Sequence, residues 1–104
     1  MLYLIYSLDK PGAQSLRNAT RAAHIEYLDR FRDKIVLGGG MLQDDASGHL
    51  GSTIILNVKS RAEAEAFAHG EPFFKAGVYA TQAIHRMRKG YWNPEAAPQT
   101  AQDD

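Results

Sequence analysis

Arg17, Arg21 and His24 fall four and then three residues apart in a stretch, Ser15 to Lys34, that reads as one long helix. At about 100° per residue the three share one longitudinal stripe. An imidazole exchanges protons near neutral pH, its ordinary pKa being about 6.5. A guanidinium holds an anionic group through its planar fork of donors. The apolar residues Leu16, Ala23, Tyr27 and Phe31 run beside that stripe, with Asn18, Glu26, Asp29 and Asp33 on most of the opposite side. The stripe is therefore expected at the edge of the buried face, where a cleft can begin. The same spacing also suits two solvated arginines and a boundary histidine.

Other elements must hold that helix in place. Leu2 to Leu8 reads as a strand closed by Asp9-Lys10-Pro11-Gly12. Its alternation puts Leu2, Leu4, Tyr6 and Leu8 on one face and Tyr3, Ile5 and Ser7 on the other, and both faces need cover. Ile35-Val36-Leu37 starts a second strand that meets Gly38-Gly39-Gly40, a run that suggests a bulge or a close approach to the backbone. It is not a phosphate loop, since no Lys-Ser/Thr ending and no helix pattern follow. Gln43 to Gly51 reads as a polar loop and Ser52 to Val58 as the third strand. Ser60-Arg61-Ala62-Glu63 is a capping box opening a helix over about Arg61 to His69 that is expected to bury Ala62, Ala66 and Phe67. Pro72 starts a short helical turn, and Ala80 to Lys89 is the fourth strand.

The order βαββαβ predicts an α+β, ferredoxin-like antiparallel sheet with both helices on one face. Tyr3, Ile5 and Ile55 are then expected on the bare face, which a two-fold homodimer would cover. Residues 1–92 form the domain in this reading, and residues 93–104 a loosely held tail without apolar bulk. Tyr3, Tyr79, Tyr91 and Trp92 read as core or interface aromatics.

The composition narrows the function classes. Twelve basic and twelve acidic residues among 104 leave no net charge to attract a polyanion, so a nucleic-acid partner is not expected. The absence of cysteine removes disulfides and thiolate chemistry and fits a reducing compartment. No apolar run approaches a membrane span and the N-terminus has no basic region before Leu2 to Tyr6, so a cytoplasmic protein without a membrane partner is expected. His49, His69 and His85 are scattered and no His-x-x-x-His occurs, so no metal site is expected.

Over residues 1 to 91 the chain resembles the YciI-like (YCII-related) family of small dimeric α+β barrel proteins. The resemblance rests on Leu2-Tyr3-Leu4-Ile5-Tyr6, Arg21-Ala22-Ala23-His24, the glycines 38 to 40, Gly51-Ser52-Thr53, and Glu71-Pro72-Phe73 with Ala76-Gly77-Val78-Tyr79, in this order. It implies a dimer with a cleft built around a histidine and a carboxylate. The histidine maps onto His24. The acidic residue, usually an aspartate before Pro-Phe or Pro-Tyr, falls on Glu71, one methylene longer.

A carboxylate on one imidazole nitrogen sets the tautomer and stabilises the imidazolium as it forms. Such a pair suits proton abstraction or water activation on a small polar substrate. Arg21 is placed to hold an anionic group of that substrate, and Ser52 to donate a hydrogen bond. A serine nucleophile is not expected, because Gly51-Ser52 lacks the nucleophile-elbow pattern. The expected function is a small cofactor-independent enzyme of lyase, isomerase or hydrolase type using His24 and Glu71, with ring compounds as the substrate class the resemblance implies. A non-catalytic binding module and a cofactor-free oxygenase of the dimeric α+β barrel type are the alternatives.

Overall fold

A computed structural model describes residues 1–100. Four strands, β1 (Leu2–Asp9), β2 (Ile35–Leu42), β3 (His49–Asn57) and β4 (Tyr79–Met87), and the helices α1 (Gln14–Arg30), α2 (Arg61–Gly70) and the short α3 (Pro72–Ala76) follow the order β1-α1-β2-β3-α2-α3-β4. The sheet order is β2-β3-β1-β4 with every neighbour antiparallel, which is the ferredoxin-like arrangement. Both long helices lie on one face. From α1, Tyr27, Leu28 and Phe31 pack against the cluster that joins Ala64, Phe67 and Ala68 of α2 to Tyr3, Ile5, Ile54 and Leu56 of the sheet.

That packing reverses one expectation. Tyr3 and Ile5 are almost wholly buried beneath the helices, not on the bare face. The register explains it: Tyr3 pairs with Leu56 and Ile5 with Ile54, so all four point the same way, while Ile55 pairs with Leu4 and points the other. The open face carries Leu4, Ile55, Tyr6 and Leu8, the last two more than a third exposed. On α2, Ala64, Phe67 and Ala68 go inward and Ala62 and Ala66 face solvent. The bulky Phe67 sets the helix's rotation, since it offers far more apolar area than an alanine.

The element ends follow local hydrogen bonds. α1 stops short of Lys34 because its last turn tightens: Phe31 N–H donates to Leu28 O at 2.9 Å and Lys34 N–H to Phe31 O at 2.8 Å. β3 starts at His49 rather than Ser52, as its first residues pair with Leu42 and Met41. In the capping box of α2, Ser60 Oγ accepts from Glu63 N–H at 3.1 Å, and the Glu63 carboxylate accepts from Lys59 N–H. The three glycines pair regularly with Ile54, Thr53 and Ser52, and the irregularities flank them, at Ile35/Leu37 and Met41/Leu42.

Tyr91 is fully exposed and Trp92 half exposed, so neither is a core residue of this chain. Residues 93–100 are exposed around a 3-10 turn at Pro94–Ala96, and the rest of the expected tail, 101–104, lies outside the described residues. No helix among the described residues is long and apolar enough to cross a membrane.

Candidate active site under the first helix

The inward row of α1 is Arg17, His24, Tyr27, Leu28 and Phe31, preceded by Ala13 at the helix start. Leu16 and Ala23, expected on that face, are exposed instead. Two of the row's residues carry basic side chains, and each is turned inward onto a carboxylate that another element supplies.

Arg17 is 5 % exposed. Its Nε and Nη2 donate to the two carboxylate oxygens of Asp9 at the end of β1, both at 3.0 Å, and Nη2 also donates to Ser52 Oγ at 2.8 Å. The fork is thus held in two directions, with its carbon 4.6 Å from the centre of the Phe73 ring. Nη1 has no partner among the described residues and remains a donor for something else.

Two turns further along α1, His24 Nδ1 hydrogen-bonds Glu71 Oε1. Glu71 is 3 % exposed and is the N-cap of α3, its other oxygen accepting from Phe73 N–H at 3.1 Å and Phe74 N–H at 3.4 Å. Pro72 presets the first helical position, and Gly77, at φ 83°, closes the turn in the left-handed region. The imidazole lies flat on Phe73, with ring centres 3.9 Å apart and planes 13° apart. The carboxylate on Nδ1 makes that nitrogen the donor, so the neutral ring carries its lone pair on Nε2.

His24, Arg17 and Ser52 line one cavity of about 260 Å³ with Leu28, Ile54 and the backbone of Gly38 to Gly40. The Asp29–Arg32 ion pair forms part of its rim. Pockets for drug-sized ligands run from roughly 300 to 1,000 Å³, so this one suits a single small ring or a short acid. Glu71 lies behind the imidazole and opens instead on a much smaller cleft with Ser7, Ser52, Tyr79 and Gln82. Burial pushes the Tyr79 hydroxyl well above its ordinary range, with the nearby Ser52 hydroxyl working against that shift. Within this cleft Gln82 Nε2 donates to Ser7 Oγ at 3.1 Å.

Of the four residues singled out in the sequence, the structure brings His24, Glu71 and Ser52 together. Arg21 stays outside: one turn beyond Arg17 the 3.6-residue repeat carries it about 40° toward solvent, where it is exposed and has no hydrogen-bonded partner among the described residues. The buried guanidinium is Arg17. Its signal was present as a seven-residue step to His24, two helical turns on one line. Asp9, Phe73 and Tyr79 were missed because a turn aspartate and two aromatics have no distinctive spacing.

Among the described residues no three His, Asp or Glu side chains gather as metal ligands would.

The chain belongs to the YCII-related domain family, whose model matches residues 1–88. It is 33% identical over 96 residues to Protein YciI of Escherichia coli, covering 86% of this chain and 98% of that protein. A Haemophilus influenzae protein is 28% identical over the same length and coverage. Among solved structures it is similar to the 5-chloro-2-hydroxyhydroquinone dehydrochlorinase TftG of Burkholderia phenoliruptrix, in complex with 2,5-dihydroxybenzoquinone. The TM-score is 0.80 at 37% identity, over 86% of this chain and 96% of that one.

Proposed function

We propose that this protein is a small lyase that eliminates a halide from a hydroxylated ring compound, with His24 as the proton carrier. The observation that carries this reading is the His24–Glu71 bond, which engages Nδ1 and leaves Nε2 without a partner among the described residues on a side chain that lines a cavity sized for one ring. Glu71 holds the tautomer and stabilises the imidazolium as it forms. Arg17 Nη1 and the Ser52 hydroxyl bind an oxygen of the ring, and the charge of Arg17 favours that oxygen as an anion.

The reaction balances without an oxidant or an electron carrier. His24 Nε2 takes a proton from a ring hydroxyl, and the ring's electrons shift to make a carbonyl. The proton returns to the carbon that bears the halogen. Chloride then leaves with the electron pair of its bond while a second hydroxyl proton is lost, so a chlorinated triol becomes a hydroxyquinone plus HCl. TftG, the dehydrochlorinase with which this chain shares fold and sequence, supplies the substrate to try first.

The test is chloride release from 5-chloro-2-hydroxyhydroquinone. His24→Ala is expected to slow it by about 10²–10⁴-fold, the usual range for a positioned general acid–base. Glu71→Gln, which keeps the shape and removes the charge, is expected to slow it too. Equal rates in wild type and His24→Ala would end the reading. Ligand binding without any turnover would put a binding module in its place.

The protein also acts as a homodimer in this reading. The open sheet face carries exposed Tyr6 and Leu8 on β1, and Leu37, 59 % exposed, lies on the same face of β2 opposite Ile55. Light scattering is expected to give twice the chain mass of 11.5 kDa; a monomer mass would remove the pairing.

A further inference from the structure

We propose that Gly38 is the specificity-determining residue of the cavity beside His24: its missing side chain sets the cavity's width and keeps the His24 imidazole within reach. The inference rests on the reading of that cavity as the substrate site. β2 is an edge strand, and its alternation gives Gly38 and Gly40 different surroundings from Gly39 between them. Gly38 and Gly40 pair with Ile54 and Ser52, both buried on the helix side, so any side chain there would project into the space under α1. Gly39 pairs with Thr53 and its side-chain direction is the open face; it gives the cavity backbone only.

The space each would fill differs as this alternation requires. A Cβ on Gly38 would lie 3.4 Å from Ile54 Cγ1 and 3.6 Å from Ile35 Cγ2, which is tolerable contact, so a side chain fits at the price of the cavity. A Cβ on Gly40 would come within 2.7 Å of the His49 ring and displace it. A Cβ on Gly39 would meet nothing within 4 Å. The opposite wall is the packed inner row of α1, with His24 and Leu28. That wall has no room to retreat, because His24 is stacked on Phe73 and tied to Glu71. Any atoms added at Gly38 therefore come out of the cavity's width.

The experiment needs no substrate. Diethyl pyrocarbonate acylates an accessible imidazole nitrogen: Nε2 attacks one carbonyl, the nitrogen–carbon bond forms, and ethyl carbonate leaves. The rate at His24 is read by peptide mass mapping, with the exposed His69 on α2 as internal standard. Gly38→Val is expected to slow His24 several-fold against that standard, and Gly39→Val to leave it unchanged. Should Gly38→Val not fold, Gly38→Ala is expected to give a smaller slowing in the same direction. Equal rates at His24 in the Gly38 and Gly39 variants overturn the assignment. Wild type that releases no chloride, with His24 access still dependent on Gly38, would remove the proposed reaction and leave the assignment standing.

Discussion

Two buried pairs of a basic side chain and a carboxylate hang from the same face of α1, seven residues apart, and they are built for different work. Arg17 and Asp9 meet through two parallel hydrogen bonds, and both side chains are 6% exposed. The arginine stays charged at any pH the protein meets. That pair joins α1 to the end of β1, eight residues back along the chain. His24 and Glu71 meet through one bond across 47 residues, and the imidazole keeps its second nitrogen and 14% of its side-chain surface. In the first pair both carboxylate oxygens and two of the three guanidinium nitrogens are engaged; in the second the imidazole engages one nitrogen of its two. A guanidinium held by Asp9 and Ser52 can present its remaining nitrogen to an anion but does not give up a proton, while the spare imidazole nitrogen of His24 can carry one.

The comparison is broken most directly at Arg17. Arg17→Met leaves the Asp9 carboxylate buried without its partner, which costs about 3–5 kcal/mol. At roughly 4–8 °C per kcal/mol for a domain of this size, the melting temperature should fall by more than about 10 °C. A loss of only a few degrees would show that Asp9 finds water or another donor. Adding Asp9→Leu to Arg17→Met should restore much of that loss, because two apolar residues need no counter-charge.

Glu71→Ala comes next. It removes the bond to His24 and also the cap of α3, and such caps are worth roughly 0.5–2 kcal/mol. His24→Ala removes only the first of these, and Glu71 keeps its two amide donors. Thermal melts should therefore rank Glu71→Ala below His24→Ala, with both well above Arg17→Met. If His24→Ala proved as damaging as Arg17→Met, the two pairs would not differ in kind.

The smallest effect is alkaline. Tyr79 sits beside both pairs, and burial, with the charges of Glu71 and Asp9, raises its pKa in the folded protein. Above about pH 10 the unfolded chain releases this proton while the folded one keeps it, so stability falls as pH rises through that range. Tyr79→Phe should flatten this part of the stability curve measured in urea between neutral and alkaline pH. An unchanged slope would show that the hydroxyl titrates freely.

Local signals in the chain were enough for the frame. Alternation in Leu2 to Leu8, the Ser60 capping box, and Glu71-Pro72 ahead of a helical turn each act within a few residues, so element order and the ferredoxin-like class could be read directly. His24 and Glu71 were legible as a pair only through the family resemblance, since no spacing links residues 47 apart. The faces were misread at Tyr3 and Ile5 because both sides of β1 are apolar, and only pairing with Ile54 and Leu56 decides which side meets the helices. Arg21 and Arg17 share one stripe in the sequence. Which guanidinium is buried depended on where Asp9 and Ser52 come to lie, one at the end of β1 and the other in β3. A helix's amphipathic pattern states which residues can face inward together. The counter-charges that make burial of a charged one tolerable come from distant strands, and only the tertiary structure brings them there.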